Sequence, residues 1–135
     1  MWGGPLAAAE KRIKVFVLMD GLPKVPPDRG DDSFYARVQR ACTPHVEFDE
    51  EAAVMKSYEP ENCVANTGPA KVYFEWAKYD MFISQHSAEE YFNAVGGPHE
   101  QRWYLTGYEF NDTASRNDRM NWLMQVIGPY GQVIR

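Results

Sequence analysis

Residues 70–110 read AKVYFEWAKYDMFISQHSAEEYFNAVGGPHEQRWYLTGYEF, and the rest of the chain is organised around them. From Val72 to Ile83 large side chains alternate on both sides: Val72, Phe74, Trp76 and Phe82 face one way, Tyr73, Tyr79, Met81 and Ile83 the other. β-Branched and aromatic residues at period two predict a long strand, or two strands joined by a bulge near Lys78. Ser87 stands three residues before Glu90, the spacing of a capping box, so a helix is expected from Ala88. Tyr91, Phe92 and Val95 give that helix an apolar stripe, and Gly96-Gly97-Pro98 stops it. Alternation returns from Arg102 to Phe110, which completes a strand, a helix and a strand.

Outward from this stretch, 135 residues make one domain, long enough to bury roughly two-thirds of its unfolded surface without staples. Residues 1–10 are expected to be a loosely ordered tail before a single α+β domain over 11–135. Arg12 to Met19 reads as the first strand, with Ile13, Val15, Val17 and Met19 on one apolar face and Phe16 and Leu18 on the other. Asp20 to Gly30, with three prolines and two glycines, is a loop long enough to suggest a role beyond connection. Asp31 or Asp32 caps the next helix, whose Phe34, Val38, Ala41 and Cys42 form its stripe. Thr43-Pro44 ends it. His45 to Glu50 is expected to be the second strand, with Val46 and Phe48 inward. Between Glu51 and Pro69 the pattern is weak. Asn111, Asp112 and Thr113 offer caps for a last helix through Ile127, with Met120, Leu123, Met124 and Ile127 as its stripe and Gly128-Pro129 as its end.

This order predicts an α+β, ferredoxin-like βαββαβ fold, an antiparallel sheet with helices on one face and an added C-terminal helix. Strands apolar on both sides would leave one sheet face uncovered, and a second copy of the chain would cover it. A homodimer burying more than about 1,200 Å² is therefore expected.

Residues 102–110, Arg-Trp-Tyr-Leu-Thr-Gly-Tyr-Glu-Phe, resemble the last strand of the dimeric α/β-barrel proteins of the EthD-like branch, where an Arg-aromatic-Leu run leads into a Tyr-Glu pair. Tyr79 to Ser84 and Ser87 to Val95 are similar to that family's third strand and second helix. The resemblance implies a two-sheet barrel shared between protomers, with a small-molecule cavity in or beside it. It also implies functions of the kind found in that family: cofactor-independent oxygenases, polyketide cyclases and binding proteins.

Composition excludes several classes. The net charge of −5 and pI near 5.2 argue against nucleic acid or an anionic membrane as partner. No apolar run approaches the roughly 20 residues of a membrane span, and no leader is visible, so a cytoplasmic protein is expected. Cys42 and Cys63 are able to pair, but a free buried thiol is the commoner state for such a residue on an apolar helix face. There is no glycine-rich phosphate loop, no CxxC pair and no Gly-x-Ser-x-Gly elbow, so no cofactor or metal is expected. Asn111-Asp112-Thr113 fits a glycosylation pattern and also a helix cap.

The candidate catalytic residues are His86, Tyr104 and Tyr108. His86 precedes a helix start, where an imidazole can shuttle protons near neutral pH. Tyr104, Tyr108 and Arg102 share a strand face and can present phenol and guanidinium groups to an aromatic or enolate-like ligand. Trp76 and Phe74 are the expected apolar lining, with Arg102 the polar ligand-binding group. His45 and Glu47 share a face at i and i+2 but lack a third ligand. Glu75 and Glu109 lie in apolar strands, where a carboxylate must pair or shift its pKa. His99 sits in a glycine loop. Two functions follow. One is a small-molecule-binding protein or cofactor-independent enzyme of cyclase or oxygenase type, taking a small apolar or aromatic ligand. The other is a non-enzymatic accessory or inhibitory protein that binds a protein partner through an acidic, aromatic-rich surface.

Overall fold

The structure, a computed structural model, describes residues 3–24, 27, 30–108 and 112–128. Its centre is a sheet of three parallel strands: β1 (Val15–Met19), β2 (Lys71–Tyr79) and β3 (His99–Gly107), in the order β1-β2-β3. Phe16 lies beside Val72 and Leu18 beside Phe74, while Trp76 lies beside Trp103. The ladder between β2 and β3 shifts register between Ala77 and Tyr79, at the bulge expected near Lys78. Parallel neighbours need long crossovers, and the chain supplies them as helices. Between β1 and β2 come α2 (Phe34–Cys42), α3 (His45–Met55), a 3-10 turn (Lys56–Tyr58) and α4 (Pro60–Val64). Then α5 (Gln85–Asn93) joins β2 to β3, and α6 (Thr113–Ile127) follows β3.

The antiparallel ferredoxin-like sheet is therefore corrected to a parallel one, and the cause is one segment. Residues expected as the second strand, His45 to Glu50, are the start of α3. Val46 and Phe48 alternate, but Glu47, Glu50, Glu51, Ala52, Ala53 and Met55 are mostly strong helix formers, and Glu47 in the first turn complements the helix dipole. With that strand gone, each remaining strand returns to the same end through helices, and all run the same way.

Helices also cover both faces of the sheet, not one. Phe74 packs on Tyr91 and Phe92 of α5, with ring centroids 5.3 and 5.9 Å apart. Its neighbour Tyr73, pointing the opposite way along the strand, stacks on Trp122 of α6 at 4.9 Å. The two-sided apolar pattern is thus satisfied within one chain, and this face needs no second copy to cover it. Phe16, Leu18, Val64, Val72, Trp76 and Tyr91 are buried in one core cluster. On β1 the inward pair is Phe16 and Leu18, whereas Met19 of the expected face is exposed.

Gly3–Ala9, in the stretch expected to be a tail, forms α1. It packs on α4, and Gly4 lets it do so: a Cβ there would stand 2.9 Å from Cβ of Pro60 on α4 and 2.4 Å from the Tyr91 hydroxyl of α5. α5 begins one turn earlier than expected, capped by Ser84, whose oxygen accepts from the Ser87 amide. Asp112 caps α6, and Gly128, at φ 97°, ends it. The expected α6 stripe is turned outward at Met120, Met124 and Ile127, while Trp122 faces the sheet. Both cysteines are free, and Cys42 is exposed because the α2 stripe that carries it faces away from the core.

Candidate functional site

In a parallel sheet the connections at the carboxyl ends of the strands form the crevice where ligands bind. Each strand here ends on a polar residue: Asp20 after β1, Asp80 after β2 and Tyr108 after β3. Asp20 has φ 38°, the one non-glycine residue with positive φ among those described. Such a conformation is costly for most side chains and tolerated by Asp and Asn. It is held by two bonds to β2. The Asp20 amide donates to the Glu75 carbonyl at 3.0 Å, and Asp20 Oδ1 accepts from the Ala77 amide at 2.9 Å. Asp20 Oδ2 is buried and has no hydrogen-bond partner among the described residues. Burial, against the Ala77 hydrogen bond and with repulsion from Asp80 and Glu75, pushes its carboxyl up to about 7.

Asp80 is built similarly. Its Oδ1 accepts from the amides of Phe82 at 2.6 Å and Ile83 at 3.3 Å, and its buried Oδ2 has no hydrogen-bond partner among the described residues. Burial raises its pKa against those two bonds. The Tyr108 ring meets Phe82 edge-on at 4.6 Å, so the ends of β2 and β3 touch through these two aromatic residues.

Asp31 closes the edge from the long loop. It is buried and accepts from the Ser33 amide at 2.8 Å, the Ser84 hydroxyl at 2.8 Å and the Ser87 hydroxyl. Burial alone would raise its carboxyl, but the bonds from Ser33, Ser87 and Ser84 outweigh it and hold the pKa below its ordinary value. Lys24 lies between Glu61 at 3.3 Å and Glu90 at 3.5 Å. The loop is thereby tied to α4 and α5. A cavity of about 210 Å³ opens at the end of β1, lined by Gly3, Gly4, Met19, Gly21 and Tyr91 among others. Met19 and Gly21 are the sequence neighbours of Asp20.

The residues singled out in the sequence fall in three places. Phe74 and Trp76 are core: both are buried, stacked on each other at 5.1 Å, and Trp76 Nε1 donates to Gln101. Arg102 and Tyr104 lie on β3 toward α6. Tyr104 donates to Asp118 at 3.1 Å, and Arg102 lines a polar cleft of about 210 Å³ with Tyr73, Glu100, Asp118 and Trp122. Burial raises the Tyr104 pKa, and its bonds with Tyr73 and Asp118 raise it further. Tyr108 alone belongs to the carboxyl edge. His86 is exposed on the first turn of α5, 3.5 Å from Glu90. His99, at the opposite end of the sheet, bonds the Gly97 carbonyl through Nδ1 and packs on Phe92. His45 and Glu47 are exposed on α3, not on a strand. Glu75 is fully buried and paired with Arg119 at 2.6 Å; burial raises its pKa against the Arg119 charge. Glu109 lies outside the described residues. Among those described, no cluster of three His, Cys, Asp or Glu could hold a metal ion, and no helix is long and apolar enough to cross a membrane.

Asp20 and Asp80 are not singled out in the sequence, and Asp31 is read there only as a cap of α2, a position that the structure gives to Ser33. The available signal was that two strands each end directly on an aspartate, Met19-Asp20-Gly21 and Tyr79-Asp80, which matters only once the strands are known to be parallel.

No family model and no curated protein matches the chain. Solved structures do. An acetyl xylan esterase from Paenibacillus sp. R4 superposes with a TM-score of 0.64 at 18% identity, over 91% of this chain and 42% of the esterase. A cold-adapted esterase from an Arctic intertidal metagenomic library, solved with bound polyethylene glycol, superposes with a TM-score of 0.57 at 17% identity, over 91% of this chain and 41% of that one. The chain thus spans about two-fifths of the length of either esterase. Its fold is that of part of these proteins, and together with the parallel strands this overturns the resemblance to the EthD-like dimeric α/β-barrel.

Proposed function

We propose that the protein is a hydrolase-type domain that takes a small ester at the carboxyl edge of its sheet, with Asp20 as the group that moves the proton. The observation that carries this is Asp20 itself: a strained, buried carboxyl with one unpartnered oxygen, at the end of a parallel strand, flanked by two residues that line a cavity. Strain and perturbed titration concentrate at functional sites. The fold likeness to two esterases supports the reaction class by analogy only.

Hydrolases of α/β architecture order their triad Ser, then Asp or Glu, then His along the chain. Here Asp80 ends β2, but Tyr108, not a histidine, follows β3, and the sequence has no Gly-x-Ser-x-Gly. In the proposed step water is the nucleophile. Ionised Asp20 takes a proton from water as its oxygen bonds to the ester carbonyl carbon. The proton that Asp20 has taken then passes to the departing alkoxide as the C–O bond breaks, leaving acid and alcohol with Asp20 ionised again. A buried carboxyl with a raised pKa is a recurring solution for such proton transfers. A cavity of about 210 Å³ is the volume of roughly seven waters, which suits a short acyl ester.

A second function, binding without turnover, is favoured by one observation. His86 and His99 have other partners, Glu90 and the Gly97 carbonyl, and His45 is exposed on α3. Hydrolysis of 4-nitrophenyl acetate and NMR line shapes of the same ester with a catalytically impaired Asp20→Asn variant separate the two. Turnover that Asp20→Asn lowers by about 10²-fold, the usual worth of a general base, supports hydrolysis. Background turnover with amide shifts at Gly21 and Tyr108 supports binding alone, and the absence of both effects would overturn both.

A further inference from the structure

The most regular apolar stripe in the crossover between β1 and β2 points away from the protein. Phe34, Val38 and Ala41 recur at i, i+4 and i+7 of α2, the pattern of a helix face that packs on a core. Yet Phe34 is 52% and Val38 43% exposed, and the helix buries only Ala36. The next helix repeats this: Val46 and Val54 of α3 are 68% and 70% exposed, on one face with Glu50 between them, while Phe48 faces inward. Two consecutive helices joined at Thr43-Pro44 therefore both present apolar side chains outward. Scattered exposed residues need no explanation, but a contiguous stripe at helical spacing does.

Charge decides what covers it. The α2 sequence carries Arg37 and Arg40 and no acid; the α3 sequence carries Glu47, Asp49, Glu50 and Glu51 and no lysine or arginine. Each helix is complementary to the other, and one two-fold axis lets α2 of one protomer lie across α3 of its partner twice over. We infer that a second copy of this chain docks here, through α2 and α3, as a weak isologous homodimer. Its size sets the affinity. The helices are about 14 and 17 Å long and about 10 Å wide, a projected patch on the order of 300 Å² per protomer. That falls below the roughly 800 Å² per partner of a standard stable interface. The dimer is therefore transient, formed at micromolar concentrations or above and sensitive to salt.

Sedimentation equilibrium of the full chain from about 10 to 300 μM, in low and high salt, tests this. The mass is expected to rise with concentration from 15.5 kDa toward twice that value, less steeply in high salt. Arg37→Glu and Glu50→Arg, both at exposed positions, should each weaken association about tenfold, and the two together in one chain should restore it. Circular dichroism melts confirm that the variants stay folded. A monomer throughout, or a dimer indifferent to both charge reversals and to Val38→Asp, would overturn the proposal.

Discussion

The side chain of Asp20 reaches from the end of β1 to the amide of Ala77 on β2, 2.9 Å away, at the residue where the β2–β3 register begins to slip. One carboxylate oxygen thus stitches two strands while the other remains buried and unpartnered. The same group is asked to hold the sheet edge and to titrate near neutrality.

That double role gives a pH dependence with a defined sign. The folded pKa of Asp20 is about 7, well above the ordinary carboxylate range, so between the two the folded state holds a proton that the unfolded state has released. Stability from this group is complete below about pH 4 and is lost as pH rises through about 7. Asp80 and Glu75, also raised, act in the same direction. Asp31, lowered, opposes them only at acid pH, where its stabilisation is lost as pH falls through its folded pKa. Asp20→Asn keeps an acceptor for Ala77 and tolerates positive φ. It should therefore stabilise the protein at pH 8 by roughly 1–2 kcal/mol after allowance for solvent screening. Urea midpoints at pH 5 and pH 8 check this; equal gains at both would be inconsistent with a titrating Asp20.

Glu75 and Arg119 make the pair that should be most sensitive to truncation. Arg119→Met leaves a buried carboxylate without its cation and is expected to cost about 3–5 kcal/mol. Glu75→Gln added to it should recover part of that loss. Additive losses in the double variant, read from urea denaturation, would mean the two side chains do not act as a pair.

Asp31 should be a stronger structural link than any of its hydrogen-bond partners alone. Ser84→Ala removes a cap and is expected to cost about 1 kcal/mol. Asp31→Ala strands Ser33, Ser84 and Ser87 together and should cost about 3 kcal/mol. Hydrogen exchange should then accelerate at the first turn of α5 and in 30–33 before it spreads to β2.

How much of this was legible in the sequence differs element by element. β2 as far as Tyr79, the bulge near Lys78 and the Asp112 cap follow from local chemistry, and the structure has them; α5 instead ends at Asn93 with Ala94 as its cap, ahead of Gly96-Gly97. Residues 45–50 were misread because six residues of alternation do not distinguish a short strand from a helix, and strand direction depended wholly on that segment. Parallel strands then separate the residues expected to act together. Tyr104 and Arg102 went to the α6 side, Phe74 and Trp76 into the core, and the aspartates at the strand ends became the candidates. Trp122 was legible as an aromatic residue in a helix, but its partner Tyr73 was not, because that contact joins elements 49 positions apart.

The two tyrosines of β3 and its end should separate stability from ligand handling. Tyr104→Phe deletes the bond to Asp118 and should cost about 1 kcal/mol with binding unchanged. Tyr108→Phe keeps the ring on Phe82, so it should leave the melting temperature unchanged and weaken ester binding or turnover. Identical ligand behaviour in both variants would remove Tyr108 from the site.

The most direct measurement is the pH–rate profile of 4-nitrophenyl acetate hydrolysis by the wild-type protein and by Asp20→Asn. The carboxyl edge predicts a wild-type rate that rises with pH through an inflection near 7, as Asp20 ionises to act as base. It also predicts a variant about 10²-fold slower with that inflection gone. A wild-type profile that follows hydroxide alone, or an inflection near 7 that survives in Asp20→Asn, would contradict it.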